Sequence, residues 1–299
     1  MRYLIAGSSG FLGTQLRQAL AGGDHHVVRL VRGTPDGPDQ RRWNPYGEPL
    51  EPDVLDDVDV VVNLAGVSIA GNPHSRKWAH AVEESRVVTT RTLASAIAIR
   101  DPKPVFLAGN GISYYGDHGV EVLDETADSR GDSLLTRVSR VWQDAAQPAA
   151  DAGARVCFLR TAPVMDRRSP PMKMLLPLFR LGLGGPLGDG RQYFPVVSTE
   201  DWVRAAIFCA EHTSVDGPVN LCLPEVPTNQ EFTEALGKAV GRPTIVRVPS
   251  LVIRPAAGAM APEVLGSVRA TPKALLDAGF AFRADNIAQL VETALSAGL

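Results

Sequence analysis

Short apolar runs and longer amphipathic ones alternate through the first half of the chain. Residues 3–6, 26–31, 59–64, 104–108 and 154–160 are compact runs rich in Val, Leu and Ile, and they read as strands. Between them, residues 11–21, 76–100 and 134–152 carry the longer amphipathic pattern of helices. Strands separated by helices pair in parallel through right-handed crossovers, so the pattern predicts a Rossmann-type, doubly wound α/β sheet. The stretch 33–58, dense in proline and glycine, is expected to be weakly structured.

The pattern changes after residue 160. Residues 163–195 mix Gly, Pro and apolar side chains, as in a short helix followed by a tight glycine-filled loop. A helix over 199–212, a strand over 219–223 and a helix over 229–240 follow, the last opened by a T-x-x-E capping box at Thr228 and Glu231. Residues 246–299 read as mostly helical. The organisation expected is a sheet domain over 1–162, to which 195–222 returns, and a smaller, mostly helical lobe drawn from 163–299. The substrate cleft would lie between them.

Composition narrows the class only a little. The chain has 299 residues, 44% hydrophobic and 21% charged, which suits one large α/β domain with a smaller lobe. A net charge of -3 gives no reason to expect a nucleic acid or an acidic membrane as partner. No run approaches the roughly 20 apolar residues that cross a bilayer, and the run at 3–6 is too short for a signal peptide. Cys157, Cys209 and Cys222 sit in apolar surroundings without C-x-x-C spacing, as expected of reduced, buried thiols in a cytoplasmic protein. The scattered histidines form no metal-binding spacing, so no metal is expected.

The chemistry begins at the first turn. Gly7-Ser8-Ser9-Gly10-Phe11-Leu12-Gly13 follows an apolar strand and opens a helix, the context a dinucleotide pyrophosphate needs. Gly7 allows the tight turn, Gly10 lets backbone approach the phosphates, and Gly13 permits close helix–strand packing. The free N–H groups of the helix start, from Ser9 through Leu12, face the ligand. At the end of the second strand, where an acidic residue would bind a ribose hydroxyl, stands Arg32, which suits a 2′-phosphate and so favours NADP(H). Asn63-Leu64-Ala65-Gly66 ends the third run in small residues, and Leu64, Ala65 and Gly66 are expected beside the adenosine.

On these residues the chain resembles the extended short-chain dehydrogenase/reductases, the superfamily of NAD-dependent epimerases and dehydratases. It is most similar to an atypical branch termed epimerase family proteins, whose C-terminal part is a domain of unknown function. AGSSGFLG and NLAG are shared across the superfamily. More specific are ESR at 84–86, YYGD at 114–117, LPLFRLGLGGPLGDGRQYF at 176–194 and GSVRATPKALLDAGFAF at 266–282. The resemblance spans nearly the whole chain. It implies that Arg86 contacts the cofactor, that Ala108 lines its site, and that Pro163 in the loop after the LRT strand lies near the nicotinamide.

The resemblance also exposes a gap. The superfamily uses a Y-x-x-x-K pair, but aligning Trp142-Gln143 on the branch's W-E puts Leu135 and Ser139 at those positions, and neither can exchange a proton there. Nearby candidates are Asn110 or Ser113 as substrate hydrogen-bonding groups, Tyr115 of the Y-G turn beside the site, and Tyr114 as proton donor, with two aromatics packing a loop as the alternative. His118 is expected at the surface. Arg191 in the glycine-rich loop would suit a carboxylate or phosphate on a small-molecule substrate, whereas Arg180 belongs to a helix. Two functions stay open: an NADP(H)-dependent oxidoreductase or epimerase acting on a carbonyl or hydroxyl, and a cofactor-binding regulator or scaffold with little turnover. A homodimer through the 76–100 and 134–152 helices would be typical of the superfamily.

Overall fold

The computed structural model describes residues 1–298. Its centre is a seven-stranded parallel sheet. The strands are β1 (Arg2–Ala6), β2 (His26–Val31), β3 (Gln40–Arg42), β4 (Val60–Asn63), β5 (Val105–Gly111), β6 (Val156–Thr161) and β7 (Gly217–Leu221), in spatial order β7-β6-β5-β4-β1-β2-β3. The order reverses between β1 and β4, which pair in register from Tyr3 opposite Val60 to Ala6 opposite Asn63. Ligands of open α/β sheets bind outside the carboxyl ends of the strands at such a switch point.

The sheet is buried on both faces because successive residues of a strand point to opposite sides. Tyr3, Ile5, Val60 and Val62 enter one apolar cluster, and Leu4, Ala6 and Val61 the other. All seven side chains are fully buried, and burying one large apolar side chain is worth about 1.5–3 kcal/mol. Helices α1 (Phe11–Ala21) and α6 (Thr199–Glu211) contribute Leu16, Leu20 and Trp202 to the first cluster, and α2 (Arg76–Ala98) contributes Leu93, Ala94 and Ile97 to the second.

The predicted 134–152 helix is two: α3 (Leu134–Asp144) and α4 (Gln147–Asp151). Pro148 falls in the first turn of α4, where its missing N–H costs nothing, and cannot continue α3. The stretch 33–58 is more ordered than expected. It forms β3 and a 3-10 turn, and it buries Trp43, Leu50, Val54 and Leu55 under the sheet. These apolar residues are too widely spaced to form a periodic run.

In the second half, α5 (Pro170–Arg180) and α7 (Asn229–Ala239) build a third cluster with α11 (Ile287–Ser296). The capping box at Thr228 and Glu231 is formed in both directions. Between α7 and α11 lie α8 (Ser250–Ala257), α9 (Ala261–Leu265) and α10 (Lys273–Asp277). The C-terminal segment also contains a strand that the pattern did not reveal. Arg269–Ala270 pairs in parallel with Val122–Leu123, and Ala270, Leu275 and Phe280 join the cluster beneath the main sheet. No helix among the described residues is long and apolar enough to cross a membrane.

Candidate functional site

The turn after β1 is built for close approach. Gly7 has φ +77°, and a Cβ there would lie 2.5 Å from the carbonyl carbon of Leu64 and 2.6 Å from the amide of Ala65. A Cβ on Gly13 would lie 2.3 Å from the carbonyl oxygen of Gly7. Both positions therefore exclude any side chain. Gly10 N–H donates to Gly7 O (3.1 Å) and closes the turn. Gly10 is also the N-cap of α1 and supplies no side-chain cap, so the first N–H groups of the helix are left for a ligand. Ser9 and Gly10 are exposed, Phe11 and Leu12 half-buried. This cradle and uncapped helix start fit a dinucleotide pyrophosphate.

Around the cradle, Leu64 and Ala65 are half-buried and Gly66 exposed beyond β4. Asn63 holds this edge from below, donating to Thr89 (3.2 Å) and Thr90 (2.8 Å) and accepting from Ala65 N–H (3.1 Å). Arg32 is exposed just past β2 and makes no hydrogen bond or ion pair among the described residues. Arg86 reaches from α2 beneath this loop. Its Nη1 donates to the carbonyls of Val67 and Val82 (3.0 Å each), and the guanidinium lies 5.0 Å from the centre of the Trp142 ring. Burial lowers the Arg86 pKa to about 10. Part of its donor capacity thus holds the loop.

Ala108 is buried midway along β5, level with Asn63 at the end of β4, and Pro163 is half-buried just past β6. Gly109 between them is covered by Trp142, since a Cβ there would lie 2.9 Å from the indole. Trp142 Nε1 donates to Thr90 (2.8 Å), which ties α3 to α2 under the site.

The catalytic candidates separate. Asn110 is buried and its amide is engaged at both ends, donating to Ser139 O (3.1 Å) and accepting from Gly111 N–H (2.7 Å). It shapes the strand end rather than meeting a substrate. Tyr115, expected beside the substrate, is 0% exposed. Its hydroxyl donates to Asn220 Oδ1 (2.8 Å) and accepts from Arg160 Nη1 (2.9 Å), so it is a core residue that joins β6 to β7. Desolvation raises its pKa to about 12, against the opposing pull of Arg160. Tyr114 is half-buried, its ring 3.6 Å from the Arg160 guanidinium carbon, with no hydrogen bond to its hydroxyl among the described residues.

His118, expected at the surface, is buried instead. Its ring nitrogens meet Tyr115 O (3.1 Å) and Glu121 (3.5 Å). Arg191 is exposed in the loop after α5, and among the described residues only its backbone N–H is engaged, with Asp189 Oδ1 (3.0 Å). Ser113 is half-buried in the turn after β5, and it favours the charged form of a residue that the sequence does not single out, Glu263 of α9. Glu263 also accepts from Ser133 Oγ (2.8 Å), 130 positions away in the chain. No local spacing could have signalled that pairing.

The switch-point sheet, the glycine cradle and the exposed arginine define a dinucleotide-binding Rossmann protein. The chain belongs to the NAD dependent epimerase/dehydratase family, whose model matches residues 3–222. A domain of unknown function (DUF1731) matches residues 248–294. An epimerase family protein of Mycobacterium leprae is 39% identical over 97% of this chain and 94% of its own length. One from Mus musculus is 34% identical over 94% of this chain and 95% of its own. Human epimerase family protein SDR39U1 (isoform 2), crystallised with NADPH, superposes with a TM-score of 0.87 at 29% identity, covering 98% of this chain and 99% of that one. UDP-glucuronic acid 4-epimerase from Bacillus cereus, in complex with NAD, shares the fold at a TM-score of 0.75 and 19% identity, covering 99% and 97%.

Proposed function

We propose that this chain is an NADP(H)-dependent oxidoreductase or epimerase acting on a small substrate that carries a carbonyl or hydroxyl group. The observation that carries the cofactor choice is Arg32: exposed, unpaired among the described residues, and placed just past β2 with no acidic residue at the strand end. An acid there would repel a 2′-phosphate, whereas a guanidinium binds it through charge-assisted hydrogen bonds. The NADPH in the human relative's structure supports the same reading.

Backbone from Gly7 to Gly13 and the start of α1 hold the pyrophosphate, and Leu64, Ala65 and Gly66 flank the adenosine. Arg86, Ala108 and Pro163 line the path to the nicotinamide. When bound, that ring supplies or accepts a hydride. Arg191 binds an anionic group of the substrate, and Ser113 hydrogen-bonds its reacting oxygen. Buried, unpaired thiols at Cys157, Cys209 and Cys222 support a reducing, cytoplasmic setting. The outer faces of α2 and α3 are the surfaces on which a homodimer would form.

Thermal-shift and fluorescence titrations test the cofactor assignment. NADP(H) stabilises the wild type more than NAD(H) does. Arg32→Ala abolishes the difference, weakening NADPH by about 10- to 100-fold, as loss of charged hydrogen bonds worth about 1.5–3 kcal/mol implies. Equal stabilisation by NAD and NADP in the wild type contradicts it. Turnover is tested by NADPH consumption across a panel of aldehydes, ketones and quinones. Leu135 and Ser139 at the two positions where the superfamily carries its proton-exchanging pair favour the second reading, a cofactor-binding regulator. Tight NADPH binding with no consumption across the panel would establish that one instead.

A further inference from the structure

We propose that Glu263, carried on α9 of the C-terminal lobe, is the acid–base group of this cleft. The inference rests on the oxidoreductase reading and deepens it.

Three neighbours place the carboxyl group. Glu263 accepts a hydrogen bond from Ser133 Oγ (2.8 Å), and the Ser113 hydroxyl and the Leu135 amide lie near enough to favour its charged form. Glu263 therefore sits between the turn after β5 and the first turn of α3, beyond the carboxyl end of β5. That is the half of the switch-point crevice lying beyond the glycine cradle, where the reacting end of a dinucleotide held at Gly7–Gly13 would fall. Two further contacts draw the segment before α9 across from the opposite wall. Ala259 N–H donates to Pro73 O (3.1 Å), and Gly258 packs at φ +49° against His74 and Pro73.

The surroundings suit proton exchange better than a structural tie. α3 already has its cap, because Ser133 Oγ accepts from Thr136 N–H (3.3 Å), so Glu263 is not needed to start that helix. Val82, Leu134 and Val138, with Ala259 packed on them, form an apolar patch along α3. Every group that shifts the carboxyl is neutral: two hydroxyls and one amide, with no cation among them. Burial outweighs these donors and raises its pKa above the ordinary glutamate value of 4.5. A carboxyl group whose protonated form is favoured in this way can give up its proton in the transition state.

In the reducing direction, bound NADPH would give up a hydride, the hydrogen together with the electron pair of its nicotinamide C–H bond, which forms the new C–H bond at the carbonyl carbon. The C=O π pair moves onto oxygen and takes the proton of the Glu263 carboxyl, leaving an alcohol, NADP⁺ and a carboxylate that regains a proton from water. In the oxidising direction, the carboxylate removes the hydroxyl proton.

The full-length protein is tested with NADPH, and with an aromatic aldehyde and an ortho-quinone as carbonyl probes. In protein labelled with ¹³C at glutamate carboxyls, the resonance missing from Glu263→Gln should titrate above the exposed glutamates and move when NADPH binds. Glu263→Gln should bind NADPH within about twofold of wild type, while kcat falls by about 100-fold or more, the low end of what a general acid supplies. Ser113→Ala removes one donor to the carboxylate, so the limb of the pH–rate profile should shift to higher pH. This variant also serves if Glu263→Gln fails to fold. A Glu263 resonance indifferent to NADPH overturns the proposal, and so does probe turnover by Glu263→Gln at the wild-type rate. Either result leaves the oxidoreductase reading standing if the wild type consumes NADPH. A wild type that consumes none overturns both.

Discussion

Tyr115 shows how much one hydroxyl can settle. The aromatic pair at 114 and 115 looks symmetrical in sequence, and both rings lie against Arg160, yet among the described residues the Tyr114 hydroxyl has no partner while that of Tyr115 is bonded to Arg160 of β6 and Asn220 of β7. Tyr115→Phe strands Asn220 Oδ1 in the interior and removes one of the acceptors of the Arg160 guanidinium. Leaving a buried polar group unsatisfied costs about 1–3 kcal/mol, more beside a charge. The expected result is a lower denaturant midpoint with NADPH affinity unchanged, measured by urea titration and cofactor fluorescence. Gly7 makes the complementary case. Its positive φ and the 2.5 Å approach to Leu64 leave no room for a methyl group. Gly7→Ala should therefore lose both stability and NADPH binding, since the strained conformation alone costs about 1–3 kcal/mol.

At the scale of elements, the alternation of runs located most of the framework. The 26–31 strand, the 11–21 helix and the start of the 76–100 helix coincide with β2, α1 and α2. These are segments whose apolar spacing and punctuation agree, so local preference and burial favour the same state. Failure came where they part, as at Pro148, which divides one amphipathic pattern into two helices, and over 33–58, where burial is achieved without periodicity. The capping box of α7 was legible because its partners are three residues apart. Thr228→Ala removes the cap for N3 and should cost about 1 kcal/mol, read as a lower thermal midpoint with cofactor affinity intact.

For the whole molecule, the C-terminal segment is woven into the sheet domain. Ala270, Leu275 and Phe280 sit in the same cluster as Tyr3, Ile5 and Trp202, and Arg269–Ala270 extends a ladder with Val122–Leu123. A chain ending after residue 247 should therefore lose cooperative unfolding in calorimetry, because it opens the first cluster and removes α11 from the third. Global stability should also respond to pH through the buried carboxyls of Glu125 and Glu263. Burial raises both pKa values above 4.5, so the native chain holds these protons more tightly than the unfolded chain does. Their contribution is complete below the ordinary glutamate value and declines as pH rises through their native midpoints. Glu263→Gln should flatten part of that decline in thermal midpoints measured across the range.

The glycine spacing at 7–13 and the strand–helix alternation were enough to specify a parallel sheet with a dinucleotide turn, because turn chemistry and apolar periodicity are written within a few positions of the chain. Tertiary structure decided the rest. It turned Tyr115 and His118 inward, engaged both ends of the Asn110 amide, and brought Glu263 to Ser133 across 130 positions. Local spacing encodes a helix start or a glycine cradle; it carries no information about which distant carboxyl will be desolvated beside which hydroxyl. That pairing exists only once the C-terminal lobe packs over the end of α3.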